Sequence, residues 1–296
     1  MKTNIVCSCC GKDVNFAFFV KDINRKVSNN AFSYYKCNSC KYLFLWPIPE
    51  NLNDYYPKEY YKIPSSISEL EKSAKFEQYK IDLVKSFIST GNLLEIGPAT
   101  GEFAYLAKRA GFNVETIEMD TNCCNFLTNV LKISAINTQN IISTLNKLSK
   151  FDIIVLWQVI EHLPDPWTVL KTLIGHLRPN GLLIISAPNP DALQFRIFGK
   201  FWTHLDAPRH LSLIPMNTLI RYMEKQKIPL LFSSTKDKEA KKWNVFGWKM
   251  SLNQISKSKF LRKALSLIGL FCSILLHTLE SRKNYGTSYT VIFSKK

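Results

Sequence analysis

Residues 93–103 read Leu-Leu-Glu-Ile-Gly-Pro-Ala-Thr-Gly-Glu-Phe, and this corner constrains the fold more than any other segment. A short apolar run ends near Glu95, a Gly-x-x-x-Gly turn follows (Gly97, Gly101), and then a helical pattern begins. A strand, a tight glycine loop and a helix N-terminus in that order belong to an open parallel sheet. There a nucleotide-like ligand can approach bare backbone at the carboxyl end of a strand. Glycine permits the approach because it lacks Cβ and tolerates positive φ. The spacing is not Gly-x-Gly-x-x-Gly, and no Gly-Lys-Ser/Thr follows, so neither a dinucleotide loop nor a phosphate-cradling loop is indicated. Glu95 points the same way, since a carboxylate repels pyrophosphate and suits a cationic ligand.

Beyond this corner, β-branched runs alternate with amphipathic segments. The pattern predicts strands at 92–96, 112–118, 133–136, 151–157 and 180–187, with helices at about 101–110, 121–131 and 166–177. A helix over about 74–90 precedes them; a helix at 215–226, a strand at 228–234 and a final strand at 289–293 follow. This is a doubly wound α/β arrangement. The length of 296 residues and a hydrophobic content of 46% suffice for one such domain plus a small appendage.

The appendage is N-terminal. Cys7/Cys10 and Cys37/Cys40 form two Cys-x-x-Cys knuckles with 26 residues between them. Two tight turns that aim four thiolates at one point supply a closed tetrahedral zinc site. A disulfide pairing is the alternative and suits an oxidising compartment. The gap accommodates a hairpin with strands at 16–20 and 31–35. Cys9 is a spare thiol, and Cys123, Cys124 and Cys272 read as small apolar fillers. No apolar leader follows Met1, so a cytoplasmic location is expected. The expected organisation is a zinc-ribbon-like unit over 1–45, a linker over 46–73 and the main domain over 74–296. The linker carries Tyr55, Tyr56, Tyr60 and Tyr61, which either cover the mouth of a site or pack against the body.

Net charge is +16, distributed as +4 over residues 1–90, −1 over 91–190 and +13 over 191–296. A basic face of this kind either keeps the protein in solution or meets anions such as phospholipid head groups, a phosphorylated carrier or nucleic acid. Residues 236–263 hold nine Lys/Arg and two acids, and 264–279 are almost entirely apolar. Sixteen residues fall short of the roughly 20 that span a bilayer. This helical insertion, 235–286, therefore reads as an in-plane contact peripheral to the inner face of a membrane, or as a helix packed on the domain's own core or on a second copy.

Two strand ends carry the chemistry. The second strand finishes Glu118-Met119-Asp120, about 20 residues past the glycine turn, where a carboxylate accepts from both hydroxyls of a ribose. The fourth strand, Phe-Asp-Ile-Ile-Val-Leu-Trp, delivers Gln158, Glu161 and His162, and Leu-Arg-Pro-Asn-Gly closes the next turn at Gly181. With Glu95, Gly97, Ala99 and Gly101, these motifs resemble the class I S-adenosylmethionine-dependent methyltransferases. The first motif of that family is Glu/Asp-x-Gly-x-Gly-x-Gly, and Ala99 stands here for its middle glycine. The resemblance covers 93–190. It implies a Rossmann-like seven-stranded sheet whose last strand is antiparallel, and S-adenosylmethionine as cofactor. It assigns cofactor contacts to Glu95, Gly97, Ala99, Gly101, Glu118, Met119 and Gln158, with Met119 beside the adenine. Relatives with Glu-His at this loop include ubiquinone-type O-methyltransferases, in which a carboxylate-and-histidine cluster has been linked to a divalent metal. Gln158 replaces an acid of that pattern, which argues against a catalytic metal here.

His162 is the candidate base, since a near-neutral imidazole can take a hydroxyl proton as a methyl group arrives; the alternative is a histidine that holds the loop. A second polar block, His204-Leu-Asp206-Ala-Pro208-Arg209-His210-Leu, follows the fifth strand and the loop at Asn189. It resembles a Pro-x-His-Leu segment of zinc-ribbon-bearing methyltransferases, which implies an acceptor pocket. His210 is the rival base. Glu161, Asn189, His204 and Arg209 are acceptor contacts, with Arg209 holding a phosphate or carboxylate. Bracing of the sheet edge is the alternative. The reading is methyl transfer to an oxygen of a small-molecule, glycan or lipid-linked acceptor, with structural zinc in the ribbon. The competing reading is a zinc-ribbon nucleic-acid-binding module or nucleic-acid methyltransferase. It is weakened by apolar stretches that interrupt the basic residues.

Overall fold

The computed structural model describes residues 5–57, 60–256, 258–282 and 284–296. The chain opens with β1 Val14–Lys21, β2 Ala31–Cys37 and β3 Leu43–Leu45. Two helices follow, α1 Ile67–Ala74 and α2 Gln78–Lys85. The central alternation runs β4 Asn92–Ile96, α3 Glu102–Arg109, β5 Asn113–Glu118, α4 Thr121–Asn125, β6 Ser134–Asn137, α5 Ile141–Leu145, β7 Phe151–Trp157, α6 Pro166–Gly175 and β8 Leu177–Pro188. Then come α7 Leu193–Phe198, β9 Ser212–Leu213, α8 Met216–Lys225 and β10 Leu230–Ser234. The insertion is three helices, α9 Lys238–Asn253, α10 Lys259–Leu275 and α11 His277–Glu280, and β11 Ser288–Ser294 ends the fold.

Seven strands form one sheet in the order β10-β11-β8-β7-β4-β5-β6. Strands β4 to β8 pair in parallel, and β11 lies antiparallel between β8 and β10. The chain moves outward through β5 and β6, then returns to β7 on the other side of β4. Ligands bind at such a switch point. Every residue of β7 except Asp152 is buried, as helices on both faces of a parallel sheet require. At the start of α6, Asp165 accepts from the Thr168 N–H and Pro166 occupies the first turn, which fixes where the loop before it ends.

Several boundaries differ from the sequence expectation. The first helix starts at Ile67 and breaks at a 3-10 turn over Lys75–Glu77. The helix expected over 121–131 is α4 followed by a wide turn, Phe126–Val130. Strand β8 begins at Leu177 because that residue pairs with Phe151 before a bulge shifts the register.

The cysteine-bearing unit is built into the body. Its sheet has the order β1-β2-β3-β9, so a strand from far along the chain completes it. The Tyr34 hydroxyl donates to the His210 carbonyl (2.5 Å), and Tyr42 packs edge-on against Trp167. Helix α10 lies along α9, and their backbones meet at Gly269, where a Cβ would sit 2.7 Å from the Trp248 carbonyl oxygen.

Candidate active site

A cavity of about 780 Å³ opens at the carboxyl ends of β4, β5 and β7. On one side it is lined by Gly97, Ala99, Glu118, Met119 and Gln158. Gly97 has φ +66° and a Cβ there would lie 2.7 Å from the Val159 side chain, so a larger residue would strain the turn and push Val159 aside. Ala99 adopts φ +50°. The Glu118 carboxylate accepts from the N–H of Ala99 (3.0 Å) and of Asp120 (2.8 Å). Burial holds its pKa above the ordinary carboxylate range, and the loop N–H groups pull against that. Gln158 donates to the hydroxyls of Ser186 and Ser288, 2.9 Å each, which ties its amide to the ends of β8 and β11. Glu95 and Gly101 are absent from the cavity wall. Glu95 is buried with one oxygen unpartnered among the described residues, and burial pushes it up to about 8. Gly101 caps α3 in the left-handed conformation.

Across the cavity, Glu161, His162 and His210 converge. The His162 Nδ1 lies 3.0 Å from the Arg209 carbonyl oxygen, and the His210 Nδ1 lies 2.8 Å from that of His204. A carbonyl only accepts, so each Nδ1 carries the proton and each Nε2 keeps a free lone pair. The His210 Nε2 is 4.0 Å from Glu161. Both Glu161 oxygens are buried without a hydrogen-bond partner among the described residues. Burial pushes Glu161 up to about 8, His210 down to about 3 and His162 below its usual value. At neutral pH both imidazoles are therefore unprotonated, and the burial that keeps them so also weakens each as a proton acceptor. His204 also lines the cavity, with Nε2 3.1 Å from the Trp243 carbonyl oxygen.

Two expected acceptor contacts are corrected. Arg209 is buried, not free: it donates to Asp22 (2.7 Å), to Asp206 (2.9 and 3.0 Å) and to the Tyr55 carbonyl (3.1 Å). Its guanidinium is used up by an internal ion triad that ties the N-terminal hairpin to the loop before His210. Asn189 is fully buried; its amide donates to the carbonyls of Asn284 and Gly286 and its oxygen accepts from Asp191.

The cavity also has walls that the motifs did not mark. Tyr56, Tyr60 and Tyr61 line its mouth, and Tyr56 reaches the His162 ring (3.1 Å). Helix α9 supplies Trp243, Phe246 and Met250. The sequence marks this segment by its basic charge, which says nothing of the aromatic face it turns to the cavity.

The four knuckle thiols form a separate cluster. Their sulfurs lie within 4.8 Å of one another, with Cys7···Cys40 at 3.6 Å and Cys10···Cys37 at 3.5 Å. Zinc–sulfur bonds of about 2.3 Å at tetrahedral angles place sulfurs about 3.8 Å apart, so the set fits that ion. The Cys40 N–H donates to the Cys37 sulfur (3.4 Å), which steadies the knuckle.

A parallel sheet reversed at β4/β7, with an acid-tipped second strand and a polar loop after the fourth, is the frame of a Rossmann-like methyltransferase. A family model described as a methyltransferase domain matches residues 70–226, more than half of the chain, and the chain belongs to that family. The ubiquinone biosynthesis O-methyltransferase of Rickettsia typhi is 30% identical over 144 residues, covering 47% of this chain and 56% of that protein. The protein of the same name from Rickettsia felis is 28% identical over 118 residues, covering 38% and 48%. The chain spans about half the length of the curated relatives it matches. A crystal structure of a SAM-dependent methyltransferase from Archaeoglobus fulgidus superposes with a TM-score of 0.50 at 16% identity, covering 75% of this chain and 94% of that one. At that identity the likeness is one of fold.

Proposed function

We propose that the protein transfers a methyl group from S-adenosylmethionine to an oxygen of a small-molecule acceptor, glycan or lipid-linked. The observation that carries this reading is one cavity with the Gly97/Ala99/Glu118 corner on one side and two unprotonated imidazole nitrogens on the other. The donor set suits the cofactor: Glu118 faces the cavity as acceptor for vicinal hydroxyls, and Met119 offers an apolar flank. When bound, S-adenosylmethionine supplies an electrophilic methyl group on a positively charged sulfur.

The chain's own residues do the rest. Tyr56, Tyr60, Trp243 and Phe246 wall the acceptor in and exclude water. Holding two reactants in line is the main source of rate in such a transfer. The Nε2 of His162, or of His210 beside it, takes the acceptor's hydroxyl proton. The ribbon cysteines hold zinc as a structural ion.

A second reading is favoured by one observation: Glu161, His162 and His210 offer three ligand atoms within 4.8 Å. A divalent cation fits that set as well, and it would polarise the acceptor oxygen. Incubating the enzyme and methyl-labelled S-adenosylmethionine with cell extract tests the main reading. Label should enter a small organic acceptor, and His162→Ala should slow the transfer about 10²–10⁴-fold. No labelled product with a folded, nucleoside-binding enzyme would overturn the reading, and loss of transfer on chelation with the ribbon zinc retained, restored by added magnesium, would select the cation.

A further inference from the structure

Helix α10 is turned inside out. Its inward stripe, Arg262, Ser266, Gly269 and Ser273, is small or polar and meets α9. There Asn253 bonds both Ser266 and Arg262. The opposite face carries Phe260, Leu267, Ile268, Phe271, Ile274 and Leu275, all half exposed or more; Phe260 is 79% exposed and Ile274 69%. A helix that packs on its own domain orients the other way, and a contiguous apolar surface of this kind marks an interaction site.

Charge says which one. From residue 240 to 279 the sequence has no acid and seven Lys/Arg. Lys259 and Lys263 stand exposed beside the apolar face at its N-terminal end. A twofold contact between two copies would leave these cations without an acidic partner, because residues 240–279 hold no acid to meet them. An anionic bilayer accepts both halves of the face, the apolar residues at the acyl boundary and the lysines at the phosphates. Among the described residues no helix is long and apolar enough to cross a membrane, so α10 would lie in the surface plane.

We propose that the outer face of α10 docks the protein on an anionic lipid bilayer. The other side of α9 lines the cavity through Trp243, Phe246 and Met250, so the docked helix pair puts the acceptor wall next to the membrane. That last step rests on the proposed methyl transfer; the docking does not.

Flotation of the full chain with vesicles tests the docking without using activity. The protein should float with phosphatidylcholine vesicles containing phosphatidylglycerol and not with phosphatidylcholine alone. Phe260→Asp with Phe271→Asp, both exposed, should lower the bound fraction about tenfold or more while S-adenosylhomocysteine affinity is unchanged. Lys259→Glu with Lys263→Glu should lower it in a salt-sensitive way. Absence of flotation with anionic vesicles would overturn the proposal. So would a concentration-dependent dimer abolished by the same phenylalanine substitutions, since a second copy would then cover the face.

Discussion

Replacing Arg209 with leucine gives the sharpest test of how the acceptor loop is held. The guanidinium sits between Asp22 and Asp206 with no solvent contact at its side chain. Burial alone would raise the Asp206 pKa, yet the hydrogen bonds and charge of Arg209 hold it at about 2 against the usual 3.8. That gap corresponds to about 2 kcal/mol of coupling for this one carboxylate. Asp22 is lowered too, against the same burial penalty and by the same partner. Removing one partner of a buried ion cluster costs about 3–5 kcal/mol, because charges remain buried without compensation. Arg209→Leu should therefore lose about 3–5 kcal/mol in urea denaturation at neutral pH. The pH dependence has a definite sign. In the wild type, Asp206 has a depressed folded-state pKa, so its contribution is present above 3.8 and lost as pH falls toward 2. In the variant, two uncompensated carboxylates are raised instead, and acidification to about pH 5 should narrow the gap between variant and wild type. A variant that unfolds like the wild type, and shows only a raised KM for its acceptor, would refute the buried triad and restore Arg209 as an anion-binding residue.

Other outcomes follow from the same geometry. His162→Ala should lower kcat by about 10²–10⁴ while leaving S-adenosylhomocysteine affinity intact in calorimetry. Because burial lowers the His162 pKa, the acid limb of kcat/KM should lie below the ordinary imidazole value of 6.5. Cys37→Ser should remove about one zinc per chain by elemental analysis and loosen the β1–β3 unit. Trp243→Ala should raise KM for the acceptor without moving nucleoside affinity. Ala99→Gly should stabilise the fold by about 1 kcal/mol in urea denaturation, because Ala99 occupies a left-handed conformation that costs an L-residue about that much.

What sequence showed and what it missed divide along a physical line. The Gly97–Gly101 turn, the Glu118 strand end and the Glu161-His162 loop were legible because each rests on short-range geometry: a φ that favours glycine, a strand that alternates, a loop fixed by Asp165 and Pro166. The seven-stranded order with its antiparallel last strand followed from those corners through family likeness. Arg209 and Asn189 were misread because the partners that occupy them, Asp22 and Gly286, lie far away along the chain. No local pattern distinguishes an arginine awaiting a ligand from one already paired. The cavity wall supplied by Trp243 was hidden for the same reason, since an aromatic at helical spacing reads as packing until the fold brings it to the site, whereas the linker tyrosines read either way from the sequence. The apolar run of α10 was visible, but which way it faces depends on Ser266, Gly269 and Ser273 meeting α9.

The claim on which the rest depends is that the corner between β4 and β5 binds a sulfonium nucleoside. Titration calorimetry of the full chain with S-adenosylhomocysteine addresses it directly. Saturable binding at one site, weakened about tenfold to a hundredfold by Glu118→Ala through the loss of charged hydrogen bonds, is the expected result. No heat from a folded wild-type chain, or affinity indifferent to Glu118, would contradict it.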